Sequence, residues 1–231
     1  MTARAIVFPG SFGDTSLPKI SLAFARPLPF ALLDCAVESL PAGPITTWDS
    51  SVGFSGFSTV EGSPTVTGTG SNKVLSFNGT TDRMQASLNI STPHTVAAVF
   101  RFGTAGPDSQ VFTGLTGESE GAVKTNPQGT NFGLVAGATS LTGNPPIIAD
   151  TNWHVVVASF AVGASSMRYD NQDIAGTLAQ AIRTGVTLGH SKVGPAFKQK
   201  IEYKRIVLMG GATTSAQRSA ISGYLKQRYG I

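Results

Sequence analysis

Hydrophobic residues recur along this chain in short runs separated by turn signals, a pattern typical of an antiparallel β protein. The strongest run, 95–102, is apolar at nearly every position, which predicts a central strand covered on both faces. The pair Asn78-Gly79 indicates a tight hairpin turn. We predict strands at the following segments: 45–49, 73–77, 83–88, 95–102, 110–115, 131–136, 153–160, 166–172, 186–189 and 201–208. Short strands at this spacing favour a two-sheet sandwich.

The C-terminal segment changes period and predicts one amphipathic helix. Thr214 and Gln217 have the spacing of a capping box, Lys226 and Arg228 suit the last turn, and Gly230 is a natural terminator. Five residues at helical spacing predict the apolar face of this helix: Ala216, Ala220, Ile221, Tyr224 and Leu225.

Residues 1–44 differ from the rest of the chain, because prolines interrupt an apolar segment. Proline at this density disfavours both helices and central strands, yet the segment is too apolar for a disordered tail. We predict an extended N-terminal arm over 1–44, followed by a sandwich domain over 45–231. The arm must lie on its own domain or on a partner chain, and four aromatic residues are its candidate docking residues: Phe8, Phe12, Phe24 and Phe30.

Composition agrees with a β-sandwich and argues against a nucleic-acid binder. Charged residues make up 13% of the 231 positions, and there are 27 glycines. The net charge is +4, and its densest basic group, 198–205, also contains Glu202. A nucleic-acid interface requires a basic stripe with a recognisable reader motif, so we expect no nucleic-acid partner.

The single cysteine, Cys35, excludes an intramolecular disulfide, and we expect it to pack as a small apolar residue. Proline, glycine and charged residues break the apolar N-terminal stretches early. The sequence therefore predicts neither an export signal nor a membrane helix, and we expect a soluble protein made without export.

Residues 45–231 resemble the laminin-G-like, concanavalin A-like jelly-roll superfamily, especially its bacterial and phage members. The matching segments stand in the order of that family: Trp48-Asp49, the hairpin Leu75–Asp82, the strand Thr95–Phe100, the strand Asn152–Ala158, Met167–Gln172, Thr187–His190, the strand Ile201–Leu208 and the terminal helix. The resemblance implies an all-β, two-sheet antiparallel jelly-roll sandwich with one C-terminal helix. His190 stands where the family has glycine, and residues 1–44 lie outside the resemblance.

The same superfamily includes glycoside hydrolases, so a carboxylate pair is the feature to look for. Retaining enzymes place two carboxylates about 5–5.5 Å apart, and no predicted strand carries such a pair. Glu118 and Glu120 lie in a glycine-rich loop, where solvation explains them. His94, His154 and His190 lack the spacing of a zinc site. We therefore predict no enzymatic activity.

Two binding sites remain as hypotheses. Asp82 is the position most like a calcium ligand at a sandwich rim, as the resemblance implies for laminin-G-like domains. Phe54 and Phe57 lie in a Gly/Ser loop and are candidates for stacking on a sugar. Trp48 and Trp153, in contrast, are expected inside the sandwich.

Our leading hypothesis from sequence is a non-enzymatic phage virion protein, either a capsid decoration or a tail-associated protein. Its arm would dock on other virion proteins, with a homo-oligomer as an alternative partner, and its loops 103–109 and 116–130 would face outward toward host glycans. The alternative is a carbohydrate-binding lectin module of a bacterial surface or secreted protein, hence extracellular. A glycoside hydrolase or lyase is the third hypothesis, and the missing carboxylate pair argues against it.

Overall fold

In a computed structural model of the chain, the apolar runs form antiparallel strands that build two packed layers and one helix. The structure describes residues 31–90, 92–104, 109–117, 120–125, 131–137, 139–179, 183–189 and 200–231. The strands in chain order are β1 (Ala31–Ala36), β2 (Gly43–Pro44), β3 (Thr47–Trp48), β4 (Phe57–Glu61), β5 (Thr65–Thr67), β6 (Val74–Phe77), β7 (Arg83–Ile90), β8 (His94–Phe102), β9 (Gln110–Phe112), β10 (Ala122–Thr125), β11 (Phe132–Ala136), β12 (Thr139–Thr142), β13 (His154–Phe160), β14 (Ser165–Tyr169), β15 (Gln172–Gly176), β16 (Arg183–Gly189) and β17 (Ile201–Gly210).

The first layer is a nine-stranded sheet, counted within the described residues, in the order β15-β14-β13-β8-β17-β6-β5-β2, with β1 also paired to β17. The second layer consists of two four-stranded sheets, β12-β11-β10-β9 and β16-β7-β4-β3, joined by a bridge between Thr113 and Thr187. The main hydrophobic core lies between the layers. This is the jelly-roll β-sandwich that the sequence predicted.

Strand β8 is apolar on both faces because it is covered on both sides. Val96 and Ala98 point into the main core, while Ala97 and Val99 belong to a second cluster that includes Leu225 of the helix. Burial of both faces explains why the run shows no alternation of polar and apolar residues. The prediction of a central strand at 95–102 is confirmed.

Helix α1 (Ser215–Tyr229) has the predicted caps, and its buried face was predicted in part, since Ile221 and Leu225 are buried. Thr214 and Gln217 form the capping box, and Gly230 ends the helix in the left-handed conformation with φ 64°. The buried residues are Arg218, Ile221, Ser222, Leu225 and Tyr229, whereas the predicted Ala216, Ala220 and Tyr224 are exposed. No helix among the described residues is long and apolar enough to cross a membrane.

The prediction that the arm extends to residue 44 is wrong for residues 31–44, because β1 and β2 are strands of the large sheet. β1 pairs with β17 in antiparallel register, and Asp34 accepts two hydrogen bonds from Arg205, at 2.8 and 2.5 Å. Leu33 and Cys35 are fully buried in the main core. Residues 31–44 also contain a short 3-10 helix, Val37–Ser39; a second one is Gly70–Asn72. The arm residues Phe8, Phe12, Phe24 and Phe30 lie outside the described residues.

Candidate functional site at the sandwich rim

A cleft of about 490 Å³ opens where the turns after β4 and β6 meet Lys200, the residue before β17. Six polar residues line it: Ser63, Thr65, Ser76, Asn78, Thr81 and Asp82. Gly62, Phe77 and the exposed Lys200 complete the lining. The cleft therefore combines hydroxyl, amide and carboxylate oxygens with one ammonium group.

Asp82 holds two of these turns together. Its Oδ1 accepts a hydrogen bond from the Ser63 N–H, and its Oδ2 accepts one from the Asn78 N–H, both at 2.8 Å. The Asn78 side chain braces the hairpin in turn, since its Oδ1 accepts from the backbone N–H groups of Thr80, Thr81 and Asp82. Asn and Asp are frequent in turns because their side chains can form such hydrogen bonds with the nearby backbone.

Two glycines let the chain approach Asp82 this closely. Gly62 has φ +72°, and a Cβ atom there would lie 2.2 Å from Asp82 Oδ1. Gly189, at the end of β16, has φ +82°, and its Cβ would lie 2.3 Å from the Asp82 carbonyl oxygen. Both positions therefore require glycine for conformation and for space. The close approach of these backbone segments to Asp82 shapes the wall of the cleft.

The lining groups suit reversible binding of a polar, uncharged molecule. The two backbone hydrogen bonds engage both carboxylate oxygens of Asp82, and its side chain is 4% exposed, so Asp82 presents little free acceptor capacity to the cleft. Thr81 accepts a hydrogen bond from Asn78 Nδ2 at 3.0 Å, and Thr65 donates to the Ser63 carbonyl at 3.0 Å. Each of these hydroxyls keeps two further hydrogen-bonding positions. Asp82 is the sole acidic residue of the lining in the part of the chain that the structure describes.

The calcium hypothesis for Asp82 gains no support from its neighbours. Both carboxylate oxygens already accept backbone hydrogen bonds, and the side chain is only 4% exposed. Within the described ranges, no group of three or more His, Cys, Asp or Glu side chains is placed to hold a metal ion. The geometry assigns Asp82 the bracing of two turns.

The two candidate sugar-stacking residues, Phe54 and Phe57, lie in different environments. Phe57 begins β4 and is 1% exposed, with its ring 5.9 Å from that of the fully buried Trp48. The expectation that Phe57 is exposed is therefore wrong. Phe54 is 37% exposed, and its N–H donates to the Leu32 carbonyl at 2.8 Å. Phe54 does not line the cleft. Its role in binding a ligand stays a prediction.

A buried polar cluster between the layers was not predicted from sequence. Arg183 is fully buried; its Nε donates to His94 Nε2 at 2.8 Å and its Nη2 donates to the Gly121 carbonyl at 2.8 Å. Burial and the Arg183 charge lower the pKa of His94 to about 3, so this imidazole is neutral. Burial lowers the pKa of Arg183 to about 10, an effect that the Glu120 charge opposes.

Glu120 is buried, so the expectation of a solvated loop is wrong for this residue, whereas Glu118 lies outside the described residues. Its carboxylate accepts hydrogen bonds from the backbone and hydroxyl groups of Thr116 and Thr184. Burial by itself would raise the pKa of Glu120, but these hydrogen bonds outweigh it and lower the pKa. The carboxylate fixes the loop before β10 to β16.

His154 is buried at the start of β13 between two carboxylates. Its Nδ1 lies 2.8 Å from Asp170 Oδ2, and its Nε2 lies 2.8 Å from Asp150 Oδ1. Burial would lower the pKa of His154, but the two carboxylates outweigh burial and raise it. Asp170 lies in the turn between β14 and β15 and occupies the left-handed region at φ 51°. The sequence showed each residue separately but not their contact.

Comparisons with known proteins agree on the fold. No protein-family profile matches the chain, and no curated protein matches it in sequence. Among solved structures, domain 4 of AbnA, an extracellular arabinanase from Geobacillus stearothermophilus solved in complex with arabinotriose, is 16% identical with a TM-score of 0.65. That similarity covers 85% of this chain and 100% of the domain.

The binding domains of botulinum neurotoxins are similar in fold as well. The domain of neurotoxin DC, solved with rat synaptotagmin II, is 8% identical with a TM-score of 0.63, covering 84% of this chain and 52% of that one. The same domain has been solved with SialylT, at 7% identity and a TM-score of 0.62, covering 84% of this chain and 51% of that one. This chain thus spans about half of the neurotoxin domains. At these identities the similarities show a jelly-roll sandwich and nothing finer.

Proposed function

We propose that the protein is a carbohydrate-binding domain and that the cleft braced by Asp82 is its binding site. The observation that carries the proposal is the lining: hydroxyl, amide and carboxylate groups converge on a cleft whose walls are held by hydrogen bonds and glycine turns. Sugar hydroxyls donate and accept hydrogen bonds at once, and this lining offers both kinds of partner.

Two neighbours in fold support a glycan as the ligand class. The arabinanase domain was solved with arabinotriose, and entry of botulinum neurotoxin type C depends on two ganglioside molecules. Function resides in sites placed on a fold rather than in the fold itself. The neighbours therefore make a glycan the first ligand to test, and the cleft is the site that we propose for it.

The proposed activity is binding without catalysis. Hydrolysis of a glycosidic bond uses a pair of carboxyl groups, and in the described lining Asp82 stands without a second one. Its two backbone hydrogen bonds tie it to the turns. Glu120, the other acidic candidate that the structure describes, is held by Thr116 and Thr184.

Isothermal calorimetry and a glycan array test the proposal directly. The array includes arabino-oligosaccharides and sialylated glycans, and the variants are Thr81→Val and Lys200→Ala, with exposed Thr142→Val on β12 as the matched control. Removing one hydrogen bond of about 0.5–1.5 kcal/mol weakens binding roughly 2- to 13-fold. The control binds as the unmodified protein does. A silent array, or variants that bind as tightly as the control, would overturn the proposal.

A structural role in a virion remains a second proposal, carried by the apolar, proline-rich residues 1–30. These residues lie outside the described part of the chain. A deletion designed to test such an arm must end at residue 30, because β1 begins at Ala31 and belongs to the large sheet. Glycan binding by the sandwich and docking by the arm are compatible with each other.

A further inference from the structure

The segment 143–152, here called the strap, crosses the end of the sandwich between β12 and β13. Ile147 and Ala149 are buried in the main core. The Ile147 carbonyl accepts a hydrogen bond from the Phe132 N–H at 2.7 Å, and the Ile147 N–H donates to Asn131 Oδ1 at 2.9 Å. The strap therefore closes one end of the core and joins the two layers.

The far end of the strap is held by His154. Asp150, in the strap, lies 2.8 Å from His154 Nε2, and Asp170, in the turn after β14, lies 2.8 Å from Nδ1. An imidazole can donate hydrogen bonds from both nitrogens only when it is protonated. In the neutral ring one nitrogen presents a lone pair to a carboxylate, so one of the two contacts must be lost.

The two carboxylates are not equally anchored. Asp170 Oδ1 also accepts a hydrogen bond from the Val155 N–H at 3.0 Å and lies 3.4 Å from Lys226 Nζ on α1. Asp150 has the Asn152 N–H as a further donor at 2.6 Å, inside the strap itself. The Asp150 side chain is 47% exposed, against 28% for Asp170. Loss of the proton therefore releases Asp150, and with it the strap.

We propose that His154 is a proton-operated latch: the imidazolium holds the strap closed through Asp150, and the neutral imidazole lets the strap open. The titratable groups that face His154 are Asp150 from the strap, Asp170 from the β14–β15 turn and the Tyr169 hydroxyl from β14; Lys226 of α1 faces Asp170. The latch is independent of glycan binding in the Asp82 cleft.

The direction of the pH effect follows from the pKa shifts. The carboxylates outweigh burial and raise the pKa of His154 above its ordinary value of 6.5, so the latch is complete below pH 6.5 and is lost as the pH rises through the raised pKa. Hydrogen bonds with His154 and the backbone lower the pKa of Asp150 and Asp170 below 3.8 in spite of burial. Protonation of these carboxylates therefore breaks the latch below pH 3.8 as well.

One unfavourable feature of the closed form, the buried Tyr169 hydroxyl, would be relieved when the strap opens. Tyr169 stacks on Phe132 with ring centroids 5.0 Å apart, and its buried hydroxyl has no hydrogen-bond partner among the described residues. An unpaired buried hydroxyl is unfavourable, and water would reach it in the open form.

Hydrogen exchange of the intact protein, followed by mass spectrometry, tests the latch. After correction for intrinsic rates, exchange in the strap relative to α1 should rise several-fold between about pH 6 and pH 8.5, because deprotonation of His154 removes the contact that holds Asp150. Asp150→Asn should make strap exchange fast at every pH. Asp173→Asn is the matched control, because Asp173 pairs with Arg168 and Arg218 and not with His154.

The histidine resonances provide the second measurement and do not depend on a variant. The His154 Cε1 proton should titrate above pH 6.5 in the unmodified protein, while buried His94 stays neutral. A strap whose corrected exchange is independent of pH, or a His154 that titrates at or below 6.5, would overturn the latch.

Discussion

Strand β1 provides the sharpest test of the architecture, because the sequence placed its residues in an arm and the structure places them in the core. The perturbation is Leu33→Ala. Leu33 is fully buried between the layers, and its strand pairs with β17 from Ala31 to Ala36. If the arm were separate from the sandwich, the substitution would cost almost nothing.

The expected cost follows from burial. Truncation of a fully buried leucine costs about 2–5 kcal/mol, since the lost transfer energy adds to the cavity left behind. For a domain of this size each kcal/mol lowers Tm by about 2–4 °C, so Leu33→Ala should lower Tm by about 4–20 °C. The matched control is Ile148→Ala, a side chain of the same volume that is 54% exposed, and it should cost under about 1 kcal/mol.

Urea unfolding followed by far-UV circular dichroism measures both variants. The midpoint should fall for Leu33→Ala with little change in the slope of the transition, which indicates a change in stability rather than in the unfolded state. A Leu33→Ala midpoint within error of the Ile148→Ala midpoint would show that β1 does not contribute to the core.

Two further predictions test local features. Gly62→Ala should lower the free energy of unfolding by at least about 1–3 kcal/mol more than Gly70→Ala; both glycines have positive φ, but a Cβ at Gly62 meets Asp82 and one at Gly70 meets nothing within 4 Å. Equal costs would mean that the turn near Asp82 adapts. Thr214→Ala should cost about 1 kcal/mol by removing the helix cap, and exposed Ser219→Ala should be neutral; differential scanning calorimetry measures both, and an unchanged Tm for Thr214→Ala would refute the cap.

Local signals in the sequence identified the elements whose causes are local. The caps of α1 are determined by side chains within one turn, so Thr214, Gln217 and Gly230 were predicted correctly. The buried face was predicted in part, because the sheet that packs against a helix decides which side is covered. Arg218 and Ser222 are buried because they reach the Thr213 and Asp170 carbonyls, and nothing in their own segment indicates this.

The strands also divide into those that local sequence predicts and those that depend on pairing with distant strands. Long apolar runs such as β8 and β13 were predicted within one or two residues. β4 and β5 lie in a stretch rich in Gly, Ser and Thr and were predicted as loop, since they become strands only by pairing with β7 and β6. Phe57 is buried for the same reason, while Phe54 in the preceding loop stays exposed.

Local patterns were enough to predict the class of the fold, the hairpin turn at Asn78-Gly79 and the capped helix, because periodicity, turn chemistry and caps act over a few residues. The tertiary structure decided the rest. It alone brought β1 to β17, set Arg183 against His94, and placed His154 between Asp150 and Asp170. Apart from Asp150 and His154, which are four residues apart, these contacts join distant parts of the chain. Their energies depend on burial and distance, which no local pattern records.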